Sequence, residues 1–238
     1  MKAQITFFSY FDNKKYLKED IVWLAKECKA YGVQAVHFHL DKLQEKSDII
    51  EIARELKDII AVSLSKIDFD FAESLGAVKD GAIRHVSLQA SECVLFNKKI
   101  MQSYDNLVKE CSKYKKYALV PEVHVFNQQG VINCLKLFDK DKDFIPVVNL
   151  GYSEDFPIEI DLIKNICKQF HDFSNYYFVL YNNKKEEYYK EIYRNGGGIR
   201  IGLEDNSFCG EQVAQTCGDF LEFLANLEFK TDKKTPIG

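Results

Sequence analysis

Residues 196–206 read GGGIRIGLEDN, and the way this segment alternates decides the fold. Side chains on a strand point to opposite faces in turn. Ile199, Ile201 and Leu203 therefore share one face, and Arg200, Gly202 and Glu204 share the other. A buried sheet has no use for Arg and Glu on one face, and an exposed strand has no use for the aliphatic series. A closed barrel uses both. The aliphatic face meets an outer layer of helices and the other face points into the barrel. Glu204 then falls near the C-terminal end of the strand, where barrels of this kind carry their sites. Gly202 is expected to leave room between two charged groups for a metal or a substrate. Asp205 faces the other way unless the chain turns there.

Outward from this stretch the chain repeats one unit. Strand-like segments lie at 3–10, 33–40, 59–65, 82–89, 117–126, 144–151, 176–182 and 198–204. Helical spacing follows each, at 16–32, 47–58, 71–79, 97–115, 129–140, 158–170, 185–195 and 210–227. Ser47 is placed to cap the second helix and Gly32 to end the first. Eight alternating units predict an α/β fold of parallel strands, a (β/α)8 TIM barrel. An open doubly wound sheet would carry a glycine-rich turn after its first strand. That position reads SYFDNKKY, without glycine. With 238 residues, a single domain over 1–238 is expected, since such barrels reach this length undivided. The tail 229–238 is polar and expected to be loose.

Composition narrows the function classes. A net charge of -4 argues against a nucleic-acid partner. No apolar run is long enough to span a bilayer, and the N-terminus lacks a secretory pattern, so no membrane partner is expected. Seven scattered cysteines without a CxxC pair read as reduced thiols of a cytoplasmic protein.

Chemistry concentrates on three strands. In AVHFHL, His37 and His39 share the inward face, and two imidazoles on one strand face can bind one metal. The plain alternative is a pair of core histidines with satisfied hydrogen bonds. In VPEVHVF, Glu122 and His124 share a face, and a buried Glu is costly unless paired. His124 reads either as a partner orienting Glu122 or as a hydrogen-bonded interior histidine. His85, Ser87 and Gln89 share a face of the fourth strand and are candidates to line a pocket. Two His and one carboxylate suit zinc or another divalent metal, which polarises a carbonyl and stabilises an enolate. Asp205 would be the base if the chain curls there. Arg200 would hold a substrate carboxylate or charge-pair Asp205. The tyrosines of 176–181 and 188–193 are read as helix–sheet or subunit contacts.

Three motifs, VHFHL, VPEVHVF and GGGIRIGLEDN, resemble the β-keto acid cleavage enzymes, of which 3-keto-5-aminohexanoate cleavage enzyme is the named member. The resemblance implies a homo-oligomeric zinc-dependent barrel, with one Zn2+ per chain held by His37, His39 and Glu204. It implies condensation of a β-keto acid with acetyl-CoA, giving acetoacetate and an acyl-CoA. Asp205 would abstract the proton, Arg200 would assist, and Glu122 would be an active-site carboxylate near the substrate. Ser63, Ser65, Ser87, His124 and Asn206 are the candidate pocket residues.

The chain also departs from the family pattern. The segment after the first strand, 7–13, lacks the usual glycine, and Asp41 stands where the family tends to have Arg. SLSKID, with Ser63, Ser65 and Lys66, replaces a Gly-Gly turn, and TCGD replaces a segment that usually carries Asn. The C-terminal segment is shorter than the family's, which makes this a compact barrel. These departures keep two other readings open. One is a metal-dependent aldolase, lyase or isomerase without CoA, with Lys66 as an anion contact. The other is a metal-binding scaffold without turnover.

Overall fold

β-Branched and aromatic residues form eight barrel strands, each followed by a helix that covers its outer face. The computed structural model describes residues 2–7, 14–78, 81–95 and 98–231. The strands are β1 (Ala3–Thr6), β2 (Ala35–His37), β3 (Ala61–Ser65), β4 (Ile83–Gln89), β5 (Val120–Val125), β6 (Ile145–Leu150), β7 (Tyr177–Leu180) and β8 (Gly198–Gly202). The helices are α1 (Lys18–Ala30), α2 (Ile49–Leu56), α3 (Lys66–Ser74), α4 (Tyr104–Lys115), α5 (Gln128–Phe138), α6 (Ile160–Gln169), α7 (Glu186–Arg194) and α8 (Cys217–Thr231). The strands are all parallel, and β8 closes on β1, with Thr6 level with Gly202. The expected (β/α)8 barrel is the fold observed.

Parity holds as read. Ile199 and Ile201 face the helices and are essentially fully buried. Burying each such side chain stabilises the fold by about 1.5–3 kcal/mol. The barrel interior is divided. Ile145, Val147, Tyr177 and Val179 fill its β6–β7 side with apolar bulk. Gln4, Thr6, His37, Ser63, Glu122 and Arg200 fill the other side and are equally buried. Most of their polar atoms satisfy one another, as described below, while Gln4 Oε1 and Arg200 Nη1 have no partner among the described residues.

Several boundaries differ from expectation, each for a local reason. Gly32 ends α1 as foreseen, with φ near +79°. The amides of Gly32 and Val33 donate to Lys29 O and Cys28 O, which closes a Schellman turn. Ser47 does not cap α2, because Lys46–Asp48 form a 3-10 turn ahead of it. α3 starts at Lys66 rather than 71, because Ser65 caps it by accepting from the Asp68 amide at 3.2 Å. The expected helix 97–115 is shortened. Lys98–Ile100 pair antiparallel with Cys93–Leu95, and Ser103 caps α4. The expected helix 210–227 starts only at Cys217, because a short hairpin of Phe208–Cys209 and Gln212–Val213 precedes it. α8 in turn runs on to Thr231, into the expected tail; the rest of that tail, and residues 8–13 after β1, lie outside the described residues. Among the described residues no helix is long and apolar enough to cross a membrane.

Gly202 corrects the reading that it leaves space for a ligand. A Cβ there would lie 1.9 Å from Thr6 O and 2.3 Å from Thr6 Oγ1. The space belongs to β1.

Candidate active site

The C-terminal ends of β2 and β8 meet at three donor groups. His37 ends β2 and His39 follows two residues later, with their ring centroids 5.1 Å apart. His37 Nε2 lies 3.8 Å from Glu204 Oε2, and His39 Nε2 lies 3.2 Å from Glu204 Oε1. The three ligand atoms all fall within 4.8 Å of one another.

The far side of each ring decides its tautomer. His39 Nδ1 lies 2.9 Å from Asp68 Oδ2, so the carboxylate accepts Nδ1–H. His37 Nδ1 lies 3.2 Å from Ser63 Oγ, and the one proton of that hydroxyl goes to Glu122 Oε2 at 2.5 Å. Ser63 therefore accepts from His37 Nδ1–H. Both Nε2 atoms are left turned toward Glu204. Two imidazoles, each anchored through Nδ1, and one carboxylate fit a divalent metal.

Electrostatics follow from this packing. Burial, with help from Arg200, holds His37 well below the ordinary histidine range, so it is neutral. Burial also opposes charge on His39, but its bonds to Asp68 and Glu204 prevail and raise it to about 10. In the metal-free chain, His39 thus carries a proton that a metal would displace. Burial alone would raise the Glu204 carboxyl; the bond and charge of His39 and the charge of Arg200 overcome it and hold the group well below the usual carboxylate range.

The chain does curl after β8. The amides of Asp205 and Asn206 both donate to Gly202 O, at 3.0 and 2.9 Å. This turn brings Asp205 back over the barrel. Thr6 Oγ1 donates to Asp205 Oδ2 at 2.9 Å and Arg200 Nε donates to the same oxygen at 3.3 Å. Burial pushes the Asp205 carboxyl up to about 6 despite Arg200. Arg200 Nη2 lies 3.7 Å from Glu204 Oε2, so one guanidinium stands beside both acids.

Glu122 lies beneath this layer and is fully buried. Gln4 Nε2 at 2.9 Å, His85 Nδ1 at 2.8 Å and Ser63 bond it. Against burial, His85 first and then Arg200 and Ser63 hold it far below its ordinary range. The partner of Glu122 is thus His85, not His124.

A cavity of about 390 Å³ opens above these residues. His37, His39, Glu204 and Arg200 form one side, with Ser65 and Asp68 beside them. Ser87, Gln89 and His124 form another, and Phe126, Tyr152 and Tyr181 supply aromatic surface. Asp41 and Lys46 also line it. Tyr181 therefore serves the cavity, and Tyr177 fills the barrel, unlike the contact role expected for that run.

Ser63, Glu122, Asp205 and Asn206 do not line this cavity; Asp205 lies behind Arg200 and Glu204, which do. Asn206 instead donates to Asn183 O and Tyr189 Oη, tying the loop after β8 to the one after β7. Lys66 lies 2.9 Å from Glu110, away from the cavity. Asp219, in the segment that departs from the family, accepts the Gln215 and Thr216 amides ahead of α8. Thr6, Gln4 and Asp68 were not foreseen. For Asp68 a signal existed, because Ser65-Lys-Ile-Asp68 has the spacing of a helix-capping box.

Comparison with known proteins bears on the fold and the family. In sequence, no curated protein matches the chain. Among solved structures, "Apo structure of ObcA" superposes with a TM-score of 0.70 at 16% identity, over 94% of this chain. The chain spans 62% of that chain's length. "Native KDPGal structure" gives a TM-score of 0.58 at 11% identity, covering 97% of this chain and 96% of that one. A 3-hexulose-6-phosphate synthase gives 0.59 at 11%, covering 95% and 99%. At these identities the likeness is one of fold. The profile of beta-keto acid cleavage enzymes, by contrast, matches residues 16–228. The chain belongs to the beta-keto acid cleavage enzyme family.

Proposed function

We propose that the protein condenses a β-keto acid with acetyl-CoA, giving acetoacetate and a new acyl-CoA. The observation that carries this reading is the pair of Nε2 atoms turned on Glu204, beside an Asp205 carboxyl held by Thr6 and Arg200. His37, His39 and Glu204 would hold one Zn2+ per chain, which when bound supplies charge to stabilise an enolate at the keto oxygen. The chain's own residues do the rest. Asp205 takes the proton from the carbon between ketone and carboxylate; among the described residues both of its side-chain hydrogen bonds fall on Oδ2, which leaves Oδ1 for that proton. Arg200 holds Asp205 in place and offers its remaining N–H groups to the bound acid. The carbanion attacks the thioester carbonyl and CoA leaves as thiolate. That thiolate attacks the original ketone carbon and the old carbon–carbon bond breaks. Acetoacetate leaves after Asp205 returns the proton.

The zinc-loaded protein given a panel of β-keto acids with acetyl-CoA tests this. Acetoacetate and a matching acyl-CoA should form in equal amounts. Proton exchange into the β-keto acid with no loss of acetyl-CoA would contradict it. That outcome would support an aldolase, lyase or isomerase without CoA.

Asp68 supplies a prediction about metal affinity. Asp68→Asn loses the charge that accepts His39 Nδ1–H, so zinc should bind about 10- to 100-fold more weakly. Competition against a chromophoric chelator measures this, and unchanged affinity would remove Asp68 from the site. We further propose that the barrel is a single domain acting in the cytoplasm as a homo-oligomer. Seven free thiols support the compartment. Exposed Leu17 and Trp23, on and beside α1, offer apolar surface for the assembly.

A further inference from the structure

Three buried polar atoms of the cavity have no partner among the described residues: Ser87 Oγ, His124 Nε2 and Arg200 Nη1. Each residue is at least nine-tenths buried. Such atoms normally find a partner, since a lone buried donor costs about 1–3 kcal/mol. Three of them along one cavity await a ligand that supplies acceptors.

What His124 presents is fixed by its neighbours. Asn149 Nδ2 lies 2.8 Å from Val147 O, and Asn149 Oδ1 lies 3.3 Å from the Tyr181 hydroxyl. A carbonyl accepts only, so the nitrogen of the amide must be on the Val147 side. That same Nδ2 lies 3.3 Å from His124 Nδ1 and 3.4 Å from Val125 O, so its second hydrogen is directed between these two, and a hydrogen on His124 Nδ1 would face the amide N–H group. Nδ1 is therefore unprotonated, and the ring hydrogen of the neutral imidazole is on Nε2. Phe126 stacks on the ring, with centroids 6.1 Å apart and planes within 20°. Burial and the Arg200 charge keep the ring neutral, down to about pH 3. His124 is a fixed N–H donor in the cavity wall.

Resting on the reading above, we propose that His124 is a specificity-determining residue whose Nε2–H hydrogen-bonds an acceptor oxygen of the bound acid, with Ser87 Oγ and Arg200 Nη1 completing the donor set. The site then selects acids that present such an oxygen to this wall. Aliphatic acyl chains that leave these donors unpaired are disfavoured, because a lost partner is penalised more than a lost apolar contact.

Calorimetry on the zinc-loaded protein tests the inference, with acetoacetate as probe and with His124→Phe and His124→Gln beside wild type. Phe keeps a stacking ring without the donor, and Gln restores an N–H. Acetoacetate should bind at least about tenfold more weakly to the Phe variant, with partial recovery in Gln and zinc content unchanged. Nitrogen-15 spectra of the wild-type ring should show Nδ1 bare and Nε2 protonated, whether or not an acid binds. Acetate and pentane-2,4-dione as further probes identify the oxygen. Loss with acetate assigns it to the carboxylate, and loss with the dione assigns it to a keto group. Equal binding by wild type and the Phe variant, or an Nδ1–H ring, overturns this inference alone. Failure of wild type to bind any of the three probes overturns it together with the proposed function.

Discussion

Asp205→Asn lowers turnover by about 10²- to 10⁴-fold, the span expected when a positioned general base is lost. The replacement is close in shape, and its side-chain oxygen can still accept from Thr6 Oγ1, which bonds Asp205 Oδ2 at 2.9 Å. What disappears is the basic oxygen. Burial raises the Asp205 carboxyl above the ordinary aspartate range, which makes it a better proton acceptor than a solvated aspartate. The loss should appear in kcat, with zinc content unchanged and the circular dichroism spectrum intact. Turnover within a few-fold of wild type would show that another group takes the proton.

Gly202→Ala is the largest stability effect anticipated. The added methyl would meet Thr6 O at 1.9 Å. The atom it meets is backbone, in a strand locked in register with β8. No rotamer change relieves that contact, so β1 and β8 must separate. Overpacking a fitted interior costs about 1–3 kcal/mol, and a backbone clash belongs at the upper end. At about 3 kcal/mol, Tm should fall by roughly 6–12 °C for a chain of this size. Thermal unfolding followed by circular dichroism measures it. Activity should fall too, because Thr6 holds Asp205. A variant as stable as wild type would mean that the two strands are not packed this closely.

Parity made much of this site legible. His37, Glu122, His124 and Arg200 fall on inward positions because side chains alternate along a strand, and no tertiary knowledge is needed to see it. The turn at 203–205 was legible only as a condition: Asp205 joins the site if the chain curls, and the Gly202 carbonyl accepts the two amides that make it curl. Partner choice was not legible. Glu122 stands level with Ser87 on β4, and His85, two residues before Ser87, reaches diagonally across to bond it, so Glu122 pairs with His85 and not with His124 on its own strand. Gly202 was misread for a related reason. A missing side chain shows that something comes close, and only the packing shows that it is Thr6 and not a ligand. Asp68 needed the start of α3, which depends on Ser65 capping it at the end of β3.

The central claim is that His37, His39 and Glu204 hold one metal. It is tested most directly by metal analysis of the purified, untagged protein beside the His37→Ala/His39→Ala double variant, both after exposure to zinc. The account predicts one zinc per chain in wild type and none in the variant, with the fold retained in both. No zinc in either protein, or equal zinc in both, would contradict it and return the two histidines to interior packing.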